Sequence, residues 1–407
     1  MPRMRMPTRQ AWVRLHRWAG LLTAAFLCVA GLTGAILAFE SELDAWLNPA
    51  LLRVQAPTEG AAYLDPFTLR ERVQAQLDGV RVDHVPLRRE SGHAVALRLN
   101  PDPAGPAVTH AYADPYTGRV LGTRNEGEIS LARPALLPLI YRIHCELALP
   151  GIWGRLLFGL IALVWTLDCL VGLYLTLPTR GAARAGFWQG WRPAWLIKRG
   201  ASAPRLTLDI HRAFALWLWL PLLVYAWSSV MFNLRDQVYH PVMSQFLPFD
   251  TSWRTAPPLE RPLQHPALDW RQAHAAARAA MAQLAREHGL AIDGEESLAL
   301  DRRRGLYAYM VHSNADLRSQ VGNTAILIDA THGQRRGSYL PTRGAAGNTF
   351  SNWLGALHMA HVFGLPYRIF ASLLGLVVVA LSVTGVMIWL NKRKGRRHAR
   401  VRARGPA

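Results

Sequence analysis

Two stretches of the sequence decide the fold: residues 15–39, LHRWAGLLTAAFLCVAGLTGAILAF, and residues 210–234, IHRAFALWLWLPLLVYAWSSVMFNL. Each opens with an apolar residue and His-Arg, and neither has a charged side chain from there to its end. A helix needs about 20 apolar residues to cross the hydrocarbon of a bilayer. Their apolar parts, 18–39 and 213–234, and two further runs, 156–177 and 369–390, are each 22 residues long, and Asp168 is the single charged residue among them. The sequence therefore predicts four transmembrane helices.

Positive charge is concentrated in three segments outside these runs. Residues 1–17, 178–210 and 391–407 hold 19 of the 46 Lys and Arg residues but only one of the 27 acidic residues. If the four helices alternate in direction, all three segments fall on one side, which the positive-inside rule makes the cytoplasm. The net charge of +19 is then a topology signal and does not indicate a nucleic-acid site. The long loops near 41–152 and 235–365 are expected on the opposite side.

The sequence contains two copies of one unit, and each copy consists of a span, an exported domain and a second span. His-Arg introduces both first spans, at His16 and His211. At the same distance beyond each histidine stands a small residue, Gly34 in one span and Ser229 in the other. The set of matches indicates an internal duplication.

The second spans match in the same way. His144 and His358 precede them, and Arg155 and Arg368 follow these histidines. Each arginine stands at the same distance before a glycine within its span. The two glycines are Gly172 and Gly385.

Each exported loop predicts a helix followed by antiparallel strands. Residues 65–77 and 269–288 have the pattern of amphipathic helices with an acidic start. Alternating segments follow, and the sequences DPYTG at 114–118 and DATHG at 329–333 are typical of turns between strands, with Asp opening the turn and Gly supplying a positive φ. We expect a small α+β domain in each loop.

Histidines recur at two depths of the predicted bundle. His16 and His211 begin spans at the cytoplasmic face, whereas His144 and His358 precede spans at the exported face, with His361 one helical turn beyond His358. Two imidazoles facing each other across a bundle are what a bis-histidine haem needs. The chain lacks Cys-x-x-Cys-His, so two non-covalent b-type haems are expected. Zinc is the alternative metal, but it takes three or four protein ligands, a number that only the three exported-side histidines approach.

Four arginines and one acid accompany these histidines. Arg17 and Arg212 follow the cytoplasmic pair and Arg155 and Arg368 the exported pair, where each could bind a haem propionate. For Arg17 and Arg212 the alternative is a simple positive-inside role. Asp168 lies within a span and should face the bundle interior, as part of a proton path or quinol contact or as a neutral hydrogen-bonded acid.

Four segments carry a resemblance to a known family. LHRWAGL…LTGAILAF, IHCELALPGIWGR, LDIHRAFALWLWLPL and LHMAHVFG together resemble the PepSY-associated transmembrane family, and the likeness covers nearly the whole chain. This family includes iron-regulated inner-membrane proteins and ferric-siderophore reductases. The chain departs from its pattern at Ser228-Ser229, where Thr-Gly is typical, and at His361, where Arg is more usual. Whether His358 or His361 would bind haem therefore stays open.

The predicted fold class is a membrane all-α four-helix bundle, made of two span–domain–span repeats, with two periplasmic α+β PepSY-like domains. The predicted segments are a basic cytoplasmic N-terminus (1–17), span 1 (18–39), domain 1 with the segment before span 2 (40–152), span 2 (153–177), a basic cytoplasmic loop (178–210), span 3 (211–234), domain 2 with the segment before span 4 (235–365), span 4 (366–390) and a basic cytoplasmic tail (391–407).

The resemblance implies a bacterial inner-membrane enzyme in which two b-type haems pass electrons to ferric siderophores in the periplasm. The iron ligands would be His16 with His211 and His144 with His358, and the donor would be a quinol or a cytoplasmic reductant. The alternative is a PepSY regulator or sensor that binds a periplasmic peptidase or other partner without redox activity. A small-substrate permease is disfavoured because no span is expected to be broken at the midplane.

Overall fold

The computed structural model describes residues 8–102, 105–179, 181, 184, 186–254, 256–318 and 321–403. The predicted basic segments fall partly on residues outside these ranges, namely 1–7, 180, 182–183, 185 and 404–407. The chain forms two compact units. We call one the helical unit (Met1–Ala38, Ile143–Pro241 and Pro366–Ala407) and the other the sheet unit (Phe39–Arg142 and Val242–Leu365).

Thirteen α-helices and nine strands are named here in chain order. The helices are α1 (Arg9–Leu37), α2 (Glu40–Leu47), α3 (Pro49–Leu52), α4 (Pro66–Gln74), α5 (Arg133–Glu146), α6 (Trp153–Thr176), α7 (Phe187–Trp191), α8 (Ala203–Trp217), α9 (Trp219–Asn233), α10 (His240–Met243), α11 (Trp270–His288), α12 (Ala346–His358) and α13 (Gly364–Ala403). The strands are β1 (Val80–Val82), β2 (His84–Pro86), β3 (Val95–Pro101), β4 (His110–Ala113), β5 (Val120–Arg124), β6 (Ile292–Asp301), β7 (Leu306–Ser313), β8 (Thr324–Asp329) and β9 (Arg335–Tyr339).

Three continuous helices of the helical unit are long and apolar enough to cross a membrane. They are α1 with 29 residues, α6 with 24 residues, and the part of α13 from Gly364 to Arg396 with 33 residues. Two of them cross in direct backbone contact. A Cβ added to Gly31 of α1 would lie 2.5 Å from the carbonyl oxygen of Gly375 on α13. Small residues at such a crossing allow close packing between helices in a membrane.

The third predicted span is not one helix. Helices α8 and α9 meet at Leu218 with a bend of 71°, and the pair passes as a membrane span only when taken together. Pro221 gives the physical reason, because it has no N–H to donate to the carbonyl of Trp217 and its ring clashes with that group. The expectation of unbroken spans, which disfavoured a small-substrate permease, is therefore wrong for this segment.

The sheet unit contains two antiparallel sheets. The first has the order β1-β3-β4-β5 and is covered by α4, while the second has the order β2-β6-β7-β8-β9 and is covered by α11. Asp65 caps α4 by accepting a hydrogen bond from the Thr68 N–H, at 2.9 Å. Asp269 begins α11 with a capping box to Gln272. Both helices lie close to the ranges predicted from their acidic starts.

Strand β2 joins the two halves of the sheet unit. It follows β1 after a single residue, Asp83, yet it pairs with β6 of the second sheet, placing His84 opposite Ala299. Asp83 is held by Arg302, whose Nε lies 2.8 Å from a carboxylate oxygen, and both side chains are about 10% exposed. The domains predicted for the two long loops therefore share a sheet.

The predicted fold class, an all-α four-helix bundle, is wrong. Among the described residues there are three continuous membrane-length helices and one bent pair, and the chain also forms two antiparallel sheets. Hydropathy measures apolar content along the chain, and a bent pair has the same apolar content as a straight helix.

Candidate functional site: a paired-histidine cavity

The helix ends that carry basic residues meet at one end of the helical unit. Arg9, in the first turn of α1, donates hydrogen bonds from Nη2 to the carbonyls of Leu175 and Leu177, at 2.7 and 3.0 Å. The start of α1 therefore lies beside the end of α6. We call this region the basic end.

His16 of α1 and His211 of α8 come together at the basic end. Their ring centroids are 6.3 Å apart and the ring planes are inclined by 62°. These are the two histidines that introduce the repeated spans. The structure thus brings together the predicted cytoplasmic-side pair.

The Nδ1 atom of each ring has a partner. Nδ1 of His16 lies 2.9 Å from Oδ1 of Asp168 on α6. Nδ1 of His211 lies 3.0 Å from Oγ1 of Thr384 on α13, whose hydroxyl donates to the carbonyl of Ala380 at 2.6 Å. Because a carboxylate and a hydroxyl already donating elsewhere both accept, each histidine carries its proton on Nδ1. Each Nε2 then holds the lone pair that can bind a metal.

A glycine lies against each ring. A Cβ added to Gly172 would be 3.6 Å from Cε1 of His16, and one added to Gly385 would be 3.4 Å from Cε1 of His211. These are the two glycines that follow Arg155 and Arg368 at the same distance along the chain. Their equal spacing therefore reflects equivalent places beside a histidine.

Both histidines line a cavity of 320 Å³. This volume lies within the roughly 300–1,000 Å³ of small-molecule and cofactor sites. Most of the wall is apolar, and its cationic lining residues are Arg17, Arg212 and Lys392. Arg212 donates from Nη2 to Asp209, at 3.1 Å, and to the carbonyl of Pro193. The cavity therefore combines two potential metal ligands with cations able to bind carboxylates.

The spacing of the two rings fits a bis-imidazole metal site. Two metal–nitrogen bonds of about 2 Å, plus roughly 1 Å from each nitrogen to its ring centre, add to about 6 Å. The observed centroid distance is 6.3 Å. The donor atoms, the glycines and the cationic wall all fit haem. Within the described ranges, no group of three or more His, Cys, Asp or Glu side chains is arranged to hold a metal ion.

His144 lies in the same kind of setting, away from the basic end. It is on α5, and its Nδ1 lies 3.0 Å from Oγ1 of Thr33. The hydrogen of this hydroxyl is donated to the carbonyl of Val29 at 2.6 Å, so its oxygen acts as the acceptor for His144. A Cβ added to Gly34 would lie 3.0 Å from Cε1 of His144. A Thr-Gly pair on a neighbouring helix thus accompanies His144 just as Thr384 and its following glycine accompany His211.

His358 and His361 belong to the sheet unit, and the pairing of either with His144 stays a prediction. The expectation that they lie one turn apart on one helix is wrong, because α12 ends at His358. Ala360 has a φ of 53°, and the N–H of His361 donates to the carbonyl of Ala356 at 2.9 Å. The chain therefore leaves the helix between the two histidines.

The other two predicted arginines contact protein groups. Nε of Arg155 lies 3.4 Å from a carboxylate oxygen of Glu146, and the arginine side chain is 65% exposed. Arg368 donates from Nε to the carbonyl of Ala38, at 2.8 Å. A propionate role for these two stays a prediction.

Sequence reasoning did not identify the residues that fix the histidine rings. These are Thr33 and Thr384 together with Asp168, whose role the sequence leaves open. The repeated Thr-Gly dipeptide, at 33–34 and 384–385, was the available signal. To infer from this dipeptide that the threonine binds a histidine ring, one must know which helix each histidine faces.

A family model described as the PepSY-associated TM region matches residues 13–392. No curated protein matches the chain. The family match spans both units, from the segment before His16 to the basic residues at the end of the last apolar run.

Proposed function

Since the chain belongs to the PepSY-associated transmembrane family, as its sequence suggested, we propose that it is a b-type haem protein of the bacterial inner membrane. In this proposal it carries electrons across the membrane and reduces ferric siderophores in the periplasm. The basic termini would face the cytoplasm, as the positive-inside rule predicts.

One observation carries the proposal: the two imidazoles at the basic end, 6.3 Å apart. His16 and His211 would bind the iron through Nε2, and Arg17 and Arg212 would bind the propionates by charge-assisted hydrogen bonds. Bound haem supplies one-electron chemistry, because its iron cycles between the ferric and ferrous states.

A second haem would be bound by His144 with His358 or His361. Support comes from the Thr33 hydroxyl, whose Oγ1 lies 3.0 Å from Nδ1 of His144 and fixes the orientation of the ring. Thr33 and His16 lie on the same continuous helix α1, separated along its axis by a rise of about 25 Å. His16 and His144 therefore cannot share one iron, and two haems at these depths would form a relay.

The terminal step would deliver one electron to a ferric chelate bound by the exported domains. Hard oxygen donors hold ferric iron more tightly than ferrous iron, so reduction favours release. The electron donor would be a quinol in the membrane or a cytoplasmic reductant.

The test is a pyridine haemochrome assay on protein purified after expression with haem supply, together with a reduced-minus-oxidised spectrum. We expect two haems per chain, with one lost in His16→Ala and in His211→Ala and the other lost in His144→Ala. His332→Ala is a matched control, since this histidine lies in a turn of the sheet unit and is 70% exposed.

Activity is measured by trapping ferrous iron with a chromogenic chelator after addition of dithionite-reduced protein to a ferric siderophore. Absence of a reducible Soret band from the wild-type protein would refute the proposal. In that case the regulator alternative, which needs no haem, would be favoured.

A further inference from the structure

The two histidines of the cavity differ in the partner of Nδ1. His16 contacts a carboxylate, Asp168, at 2.9 Å, whereas His211 contacts the neutral hydroxyl of Thr384 at 3.0 Å. The geometry is otherwise matched, with a glycine beside each ring. Both copies of the repeat thus have a hydrogen-bond partner at Nδ1, but only one of the two partners is a carboxyl group, which can carry a negative charge.

Asp168 is largely shielded from solvent. Its side chain is 12% exposed, and His16 is 34% exposed. Asp168 is the single acid of the apolar run 156–177. A carboxyl group in such a helix is costly unless it has a partner, so its contact with His16 is the feature that accounts for its position.

We infer that Asp168 is a positioning residue that holds His16 with Nε2 towards the iron and lowers the reduction potential of the haem bound between His16 and His211. This inference rests on the proposed function. A carboxylate that accepts the Nδ1 proton makes the imidazole a more basic ligand. A more basic ligand stabilises ferric over ferrous iron, because it donates more electron density to the metal.

The asymmetry also predicts a direction for the relay. The haem at the basic end would have a lower potential than it would with two neutral partners. Because this haem is the one nearer the proposed cytoplasmic donor, a lower potential there favours electron flow to the second haem.

Asp168→Asn is the decisive variant, because the amide oxygen keeps an acceptor at nearly the same place while removing the charge. Potentiometric titration of the purified holoprotein should show one of two haem waves shifted upward. We expect a change of about tenfold in the oxidised-to-reduced equilibrium, which is 59 mV for a one-electron couple. The low-spin ferric EPR signal of that haem should change with it.

Thr384→Val is the matched control, since it removes the neutral acceptor of His211 with little change in volume. Loss of this outer-shell partner should itself weaken haem binding about 10–100-fold, so the variant is titrated with haem in excess. In the haem-saturated protein we expect it to shift the oxidised-to-reduced equilibrium less than about threefold, because a hydroxyl adds no negative charge. Asp168→Ala, which removes both charge and acceptor, should also weaken haem binding about tenfold, as loss of an outer-shell partner commonly does.

The outcomes separate this inference from the proposed function. Two haems in the wild type with no upward shift in Asp168→Asn, or with an equal shift in Thr384→Val, would overturn the role of Asp168 and leave the haem protein standing. A wild type without haem would overturn both. An upward shift confined to Asp168→Asn supports the assignment.

Discussion

Substituting Gly34 by Ala should displace His144 and remove one of the two proposed haems. The added Cβ would lie 3.0 Å from Cε1 of the ring, 3.6 Å from Nδ1 and 3.9 Å from Nε2. A Cβ contact of 3.0 Å is tighter than almost all those found in proteins, so the ring must move by a few tenths of an ångström. The hydrogen bond from the ring to Thr33, 3.0 Å long, would be lost or distorted by such a movement.

The expected size of the effect follows from this lost support. Disturbing the outer partner of a metal ligand costs about 10–100-fold in affinity, so the His144 haem should dissociate during purification while the other remains. Alanine is a better helix former than glycine by up to about 1 kcal/mol, so weakening of α1 cannot explain the loss. The assay is haem stoichiometry by pyridine haemochrome.

Two glycine variants provide matched controls. Alanine at Gly172 or Gly385 places Cβ at 3.6 or 3.4 Å from the facing ring, which is ordinary contact. Both variants should therefore keep two haems. The reasoning would be refuted if Gly34→Ala bound two haems as tightly as the wild type, or if the Gly172 and Gly385 variants lost haem to the same extent.

Three further changes test the packing of each unit, all followed by thermal unfolding of the full chain in detergent. Asp83→Ala leaves the guanidinium of Arg302 buried without its carboxylate and should lower the free energy of unfolding by about 3–5 kcal/mol. Replacing Arg302 by Met in the same chain should recover much of that stability. An Asp83→Ala variant as stable as the wild type would contradict this account. His84 has its pKa lowered to about 4 by burial and by nearby positive charge, so the unfolded state binds the proton more readily and stability should fall as pH drops from about 6.5 towards 4. His84→Leu should flatten that part of the profile of stability against pH. An unchanged slope would show that His84 does not cause the loss of stability. Gly375→Ala places Cβ 2.6 Å from a carbonyl oxygen of α1 and should lower the unfolding temperature, whereas Gly20→Ala, with open space at Cβ, should not.

The third apolar run shows how much of the fold the sequence can predict. Residues 213–234 are predicted as one span because hydropathy adds residues along the chain irrespective of helix direction. Pro221 is visible in that run, but proline in a membrane helix is often tolerated when neighbours satisfy the freed backbone. Whether it bends the helix, here by 71° at Leu218, depends on the packing around it.

The shared sheet shows the same limit. The sequence predicted a helix and antiparallel strands in each long loop, and the strands are present. It did not predict that β2 would pair with β6, because a three-residue strand carries little pattern of its own. Its partner is chosen by contacts distant in sequence, such as Asp83 with Arg302.

By itself, the sequence determined the apolar segments, the concentration of positive charge between and beyond them, and the matching spacings of histidines and glycines in the two halves of the chain. Composition and spacing can be read along the chain without knowing which distant residues come into contact. Only the tertiary structure decided that Asp168 and Thr384 hold the rings of His16 and His211, and that His361 lies beyond the end of its helix. The His16–Asp168 and His211–Thr384 contacts join residues 152 and 173 positions apart. Such contacts form only when helices pack, and no pattern along the chain specifies which side chains then meet.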